Sequence, residues 1–211
     1  MLTVALPKGR LARHAAQLFA GCGVDTAELL TKSRRLVFTD AAAVIRFLLV
    51  KPGDVPVYVY RGSADMGIAG KDTLLEAGLP LYEMLDLECG QCRMCVAGLN
   101  AAADRPEGQA LRVATKYPRI AQMYYDGLDE EIELIKLHGS IELAPVVGLA
   151  DVIVDIVESG STIRENGLQI ISEIMNISAR LVVNRVSLKA KQQQIAPLIS
   201  GLRQTVRATE C

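Results

Sequence analysis

Gly148-Leu149-Ala150-Asp151-Val152-Ile153-Val154-Asp155-Ile156-Val157-Glu158-Ser159-Gly160-Ser161-Thr162 is the stretch that decides the fold. Val152 to Val157 is an apolar, β-branched run of strand length interrupted only by Asp155, which reads as a buried strand. Ser159-Gly160-Ser161-Thr162 then supplies hydroxyls, backbone N–H groups and a permissive glycine, and a helix is predicted to begin at Thr162-Ile163-Arg164. The unpaired N–H groups and positive dipole end of such a helix, added to that turn, make a cradle for phosphate. Carboxylates beside it suit sugar hydroxyls, or a metal held by a phosphorylated substrate. Small polar residues also suit an ordinary strand-to-helix connection, and it is the neighbouring acids that favour a phosphorylated sugar.

Outward from this stretch, strand-like and helix-like segments alternate, which predicts parallel α/β layers. Strands are expected at Leu2–Leu6, Ala64–Ala69, Cys92–Ala97, Leu111–Thr115, Glu133–Leu137 and Leu181–Ser187. Helices are expected at Leu11–Ala20, Lys71–Ala77, Arg119–Tyr125, Glu142–Leu149 and Lys189–Thr205. Leu36–Phe38 and Val55–Val59 fit a strand or the edge of a helix. A weak repeat links Gly62-Ser63-Ala64-Asp65 with Gly148-Leu149-Ala150-Asp151, and Val4–Arg10 with Val113–Arg119. Two lobes of one α/β design, placed around a cleft, are the expected architecture. The boundaries expected are 1–88 with 180–211 for the first lobe and 89–179 for the second.

The 211 residues are half hydrophobic, enough for a substantial core, and carry 23 basic against 24 acidic side chains. That balance, with no Trp, gives no electrostatic or stacking case for nucleic acid or an anionic membrane surface. Leu2–Leu6 reads as a strand with no charged leader, and charges or glycines interrupt every apolar run, so a soluble cytoplasmic protein is expected. Cys89, Cys92 and Cys95 have the spacing of part of a zinc or iron–sulfur site, but no fourth ligand is evident and strand alternation would separate them. Pro7-Lys8-Gly9-Arg10, between a strand and a helix, combines two cations with a flexible turn and suits an anion. Arg34, Asp72 and Arg93 are further candidates, although a surface arginine, a first-turn acid and a strand ion pair would look the same. Neither His14 nor His138 has a nucleophilic partner in view, and no H-E-x-x-H, G-x-S-x-G or Walker A pattern occurs.

The chain resembles the ATP phosphoribosyltransferase family, in the short form of its catalytic subunit. The resemblance lies in Glu142-x5-Gly148 followed by Asp151 to Thr162. It extends to Leu6–Arg10, Ala64–Asp72, Cys92-Arg93, Ala114–Tyr117 and Asn166-Gly167-Leu168. It implies a fold like the type II periplasmic binding proteins. It also implies a reaction in which N1 of ATP displaces pyrophosphate from phosphoribosyl pyrophosphate (PRPP), giving N1-(5-phosphoribosyl)-ATP. In such an enzyme Ser159, Gly160, Ser161 and Thr162 would hold the 5-phosphate, with Glu142, Asp151, Asp155 and Glu158 completing the PRPP site. Asp151 and Asp155 would meet ribose hydroxyls or Mg²⁺-bound water. Arg10 and Arg34, assisted by Lys8, would clamp pyrophosphate and ATP phosphates, while Asp72 and Arg93 would contact nucleotide. Mg²⁺ would be carried mainly by substrate phosphates, with no direct protein ligand assigned. The short form further implies a homodimeric core in a hetero-oligomer with a regulatory subunit resembling histidyl-tRNA synthetase, where histidine would act. A non-catalytic binding protein, a different PRPP-dependent transferase, and a metal or iron–sulfur protein using Cys89, Cys92 and Cys95 are the competing expectations.

Overall fold

The structure is a computed structural model that describes residues 1–31, 34–42, 44–99 and 109–209. The first strands and helices are β1 (Leu2–Pro7), α1 (Arg10–Gly21), β2 (Val37–Thr39), β3 (Ile45–Val50), α2 (Val55–Tyr60), β4 (Met66–Gly70), α3 (Lys71–Ala77) and β5 (Tyr82–Asp86). The chain continues through β6 (Cys92–Gly98), β7 (Leu111–Thr115), α4 (Pro118–Asp126), β8 (Ile132–Lys136), α5 (Leu143–Val146), β9 (Val152–Val157) and α6 (Ser161–Glu165). It ends with β10 (Gln169–Ile177), β11 (Ala179–Val183), α7 (Arg185–Ala190) and α8 (Gln192–Thr209). Two compact units result, Met1–Gly90 with Ser178–Cys211, and Gln91–Ile177.

The first unit is a six-stranded sheet in the order β2-β3-β1-β4-β11-β5. One face packs on α1 and α8 through Leu2, Val4, Leu6, Phe19, Phe47, Ile68, Leu181, Ile195 and Leu202. Phe19 meets Phe47 edge to face at 5.1 Å between ring centroids. Each fully buried Leu or Ile here stabilises by about 1.5–3 kcal/mol. The other face is covered by α2, whose Val55 and Val59, four residues apart, join Ala5, Ala69 and Val182. The second unit has five strands, β10-β6-β9-β7-β8. Ala114, Ile153 and Val157 pack with Ile141, Ala144, Ile163 and Leu168 of the α5 and α6 segments on one side. Val113, Val152 and Val154, of opposite parity, are buried on the other face, the side of α4.

Both sheets share one plan. The order β3-β1-β4-β11-β5 matches β8-β7-β9-β6-β10, with β1 and β4 parallel in one and β7 and β9 parallel in the other. Val4 pairs with Met66, and Val113 with Val152. Just before each pair an aspartate latches the strands. The Thr3 amide donates to Asp65 Oδ2 at 2.9 Å while the Asp65 amide donates to the Thr3 carbonyl at 2.8 Å. The Arg112 amide donates to Asp151 Oδ2 at 2.9 Å while the Asp151 amide donates to the Arg112 carbonyl at 2.9 Å. Gly62 and Gly148, at φ 75° and 72°, turn the chain into both aspartates in the left-handed region that glycine enters without penalty. The sequence repeat therefore has a structural basis.

The sheets are mixed, not purely parallel, because β2, β6, β10 and β11 all pair antiparallel to a neighbour. Apolar alternation marks a strand but carries no information on its direction. Val55–Val59 is helical, entered through Pro56 in the first turn, where proline's missing N–H costs nothing. The helix expected over Glu142–Leu149 shrinks to one turn, since Gly148 adopts its left-handed bend at the other end. The strand expected to reach Ser187 stops at Val183. Asn184 accepts the Val186 and Ser187 amides at 2.9 Å each and starts α7 instead. The single closing helix is consequently two. Strands β3, β5 and β10 were not anticipated; two register shifts in β10 break the alternation that would have revealed it.

Asp65 is almost fully buried and also accepts from Ser187 Oγ at 2.7 Å and Lys191 Nζ at 2.8 Å. Burial opposes its charge, but the Lys191, Ser187 and Thr3 donors outweigh that and hold the carboxyl below its ordinary 3.8. The folded state thus binds this proton more weakly than the unfolded chain. The stabilisation is complete above about pH 4 and is lost as pH falls through the depressed folded value. Asp65→Asn is expected to cost about 2 kcal/mol at neutral pH and to flatten the acid limb of stability below about pH 4. Urea unfolding from pH 7 to pH 3 measures both, and an unaltered acid limb would show that the latch does not act as a charge.

Candidate active site

In the second unit β7 leads through α4 to β8 on one side, and β8 leads through α5 to β9 on the other. The turns leaving β7 and β9 therefore diverge at the carboxyl edge of the sheet, the place where open α/β sheets bind ligands. Three segments meet this edge: Lys116-Tyr117 after β7, the residues up to Glu142 after β8, and Glu158–Thr162 after β9. Thr115, with no exposed surface, ties two of them together. Its Oγ1 donates to the Val154 carbonyl at 2.6 Å and accepts the Tyr117 amide at 2.8 Å.

Gly160, at φ 74°, turns the chain into α6, and the hydroxyls of Ser159 and Ser161 lie 3.0 Å apart above it. Ser159, Ser161, Thr162 and Glu158 are exposed, whereas Gly160 is buried. A Cβ on Gly160 would lie 3.1 Å from Arg164 Nη1, which itself donates to the Ser159 carbonyl at 3.3 Å. Asp155, half-buried near the end of β9, accepts the Ile156 amide at 2.8 Å. Glu142, half-buried, immediately precedes α5 at the same edge. Arg93 on β6 is in register with Val157, beside the turn, and is ion-paired with Glu173 of β10. The structure thus brings Glu142, Asp155, Glu158, Ser159, Gly160, Ser161, Thr162 and Arg93 to one edge of one sheet.

Asp151 is not among them. It precedes β9, so the whole strand, roughly 20 Å of extended chain, separates it from Glu158. There its carboxylate is engaged by Arg112, with Nη2 at 2.6 Å and Nε at 3.3 Å besides the backbone latch. Its place matches that of Asp65, which is structural. The expectation that Asp151 meets ribose or Mg²⁺-bound water is thus set against its place at the other end of β9: the sequence showed two acids four apart, but a strand carries them toward opposite ends.

The first unit has an equivalent edge at β1 and β4. Lys8 and Arg10 are exposed there, and the Lys8 amide donates to the Val50 carbonyl at 2.9 Å. Gly9, at φ 101°, precedes twelve-residue α1, whose first turn has no side-chain cap. Asp72 lies in the first turn of α3, folded back so closely that a Cβ on Gly70 would sit 2.1 Å from its Oδ1. Arg34 is exposed and enters at the same edge, because Leu36, two residues on, bonds to Leu49 near the end of β3. Arg35 beside it is occupied by Glu28 at 3.0 Å and by the Phe38 ring.

Cys89 packs against the first core, while Cys92 and Cys95 lie three apart on β6 and so face opposite ways. Burial, helped by Asp86, pushes the Cys89 thiol up; burial pushes Cys95 up against the pull of Arg93. Neutral thiols of this kind are poor nucleophiles. Sequence reasoning missed Thr115 and Arg164. The spacing of Arg164, one helical turn beyond the loop, was the available signal for the second.

Fold and site together define an α/β protein of two like units, with polar, anion-seeking turns at the carboxyl edge of each sheet. The family described as HisG: ATP phosphoribosyltransferase matches residues 51–204. ATP phosphoribosyltransferases of Lachnospira eligens and Thermoanaerobacter pseudethanolicus are 50% and 51% identical to it, over 97% of this chain and 96% of each relative. A chain of the ATP phosphoribosyl transferase (HisG:HisZ) complex from Thermotoga maritima superposes with a TM-score of 0.85 at 34% identity, covering all of both chains. The chain belongs to the ATP phosphoribosyltransferase family. It is a phosphoribosyltransferase of the first step of histidine biosynthesis.

The position of Asp151 yields a contrast. Asp151→Asn should lower the melting temperature by a few degrees at most, as loss of a partly exposed ion pair does, while the KM for PRPP stays within about threefold. Asp155→Asn should raise that KM by about tenfold or more. Steady-state kinetics with thermal melts separates the two, and a large KM effect in Asp151→Asn would return Asp151 to the site.

Proposed function

We propose that the turn Glu158–Thr162 holds the 5-phosphate of PRPP while N1 of ATP attacks C1 and pyrophosphate leaves. The observation that carries this reading is the exposed, uncapped turn at the switch point of the second sheet, with carboxylates on the same edge. Ser159, Ser161 and Thr162 offer hydroxyls, and Gly160 supplies the left-handed bend that presents them. Asp155, with Glu142 and Glu158, is suited to the ribose hydroxyls, whose protons a carboxylate accepts. As the bond to pyrophosphate breaks, positive charge develops on the ribose ring and negative charge on the leaving group. Fixed carboxylates near the first and cations near the second lower the barrier, because each matches charge that grows toward the transition state.

Lys8, Arg10 and Arg34 are the cations proposed for pyrophosphate and ATP phosphates, with Asp72 and Arg93 proposed to contact nucleotide. Adenine N1 carries a lone pair and no proton, so its attack requires no general base. Among the described residues no group of three or more His, Cys, Asp or Glu side chains gathers to hold a metal. Mg²⁺ is proposed to enter mainly on substrate phosphates, where it neutralises part of their charge. No helix among the described residues is long and apolar enough to cross a membrane, and a cytoplasmic location is proposed. The Thermotoga maritima relative is a HisG:HisZ complex. We extend that assembly here: a homodimeric catalytic core with a histidyl-tRNA-synthetase-like regulatory subunit that carries the response to histidine.

The test is formation of phosphoribosyl-ATP from ATP, PRPP and Mg²⁺, followed by absorbance, with and without the regulatory subunit. Arg34→Ala should lose at least about tenfold in turnover, the scale of removing one charge that stabilises the transition state. Unchanged turnover would take Arg34 out of the mechanism, and no product even with the partner would overturn the reading.

A further inference from the structure

We propose that Arg164 is a positioning residue for the 5-phosphate of PRPP, an inference that rests on reading Glu158–Thr162 as the phosphate cradle. Two consecutive carbonyls of the turn are held by this residue. Its side chain donates from Nη1 to the Ser159 carbonyl at 3.3 Å, and its amide donates to the Gly160 carbonyl at 3.1 Å. In a planar trans peptide the C=O and the following N–H point in opposite directions. Fixing the Ser159 carbonyl toward Arg164 therefore turns the Gly160 amide the other way, while the Ser161 amide faces Ser159 Oγ at 3.4 Å within the turn. A phosphate bound there meets the Gly160 amide already aligned, with less entropy to lose on binding.

The fit between Arg164 and Gly160 is close and specific. Glycine at φ 74° leaves the space that the guanidinium fills; any Cβ would come within 3.1 Å of Nη1. Arg164 is otherwise exposed, so its contribution to folding is small and its removal leaves the core intact. The guanidinium also places a permanent positive charge next to a turn flanked in sequence by Asp155, Glu158 and Glu165, where it offsets the repulsion those carboxylates exert on a phosphate.

The experiment uses the full chain with its regulatory subunit and compares wild type, Arg164→Gln and Arg164→Lys. Ribose 5-phosphate and pyrophosphate are tested as competitive probes against PRPP, beside the KM for PRPP and for ATP. Arg164→Gln should weaken ribose 5-phosphate by about tenfold, the value of a charge-assisted contact, while pyrophosphate changes by less than about twofold. The KM for PRPP should rise with the first probe and the KM for ATP should not follow it. Arg164→Lys, which keeps a cationic donor, should recover most of the loss. Equal weakening of both probes, or of neither, overturns the role of Arg164. A wild-type enzyme that makes phosphoribosyl-ATP but does not bind ribose 5-phosphate overturns the cradle itself.

Discussion

Everything in each unit depends on one latch between two parallel strands. Parallel pairing is less stable per residue than antiparallel pairing, and its register cannot be fixed by a short hairpin. Here an aspartate at the head of the second strand exchanges hydrogen bonds with the head of the first, Asp65 with Thr3 and Asp151 with Arg112. With the heads aligned, the tails are aligned too, and turns distant in sequence arrive at one edge. Pro7–Arg10 thereby joins Gly70–Asp72, and Thr115–Tyr117 joins Glu158–Thr162.

The two latches are dressed differently. Asp65 is buried and needs Lys191 and Ser187, from the last part of the chain, to remain charged. Asp151 is nearer solvent and takes its cation, Arg112, from the strand it latches. The first arrangement makes the C-terminal helices part of the folding of the N-terminal strands; the second lets Gln91–Ile177 supply its own. Such a division suits a chain whose second unit is inserted between two pieces of the first.

Chemistry follows from what the carboxyl edges leave exposed. A transfer between two highly anionic substrates asks the protein mainly for donors and cations set in place before the substrates arrive. Turns rich in glycine, serine and threonine answer this at little steric cost, and carboxylates among them oppose the positive charge that forms on ribose. Acids in such a place repel phosphate as well, which is why neighbouring cations matter as much as the turn.

Reading the strand Val152–Val157 and the turn after it required only local information: a β-branched run favours a strand and glycine marks the bend. The sequence likewise showed the α/β alternation, both boundaries of α3, and the repeat that proved to be the two latches. It misjudged elements whose form depends on distant partners. Val55–Val59 could become helical because α2 covers a sheet face, β10 hid behind its bulges, and Asn184 ended a strand by capping the helix after it. Asp151 and Asp155 looked like one pair of acids. Composition and periodicity determined what kinds of element form, since those are set by each residue and its near neighbours. Strand direction, the order of strands and the end of a strand at which a charge lies were decided only by the tertiary structure, because pairing across the sheet is a property of segments far apart in the chain.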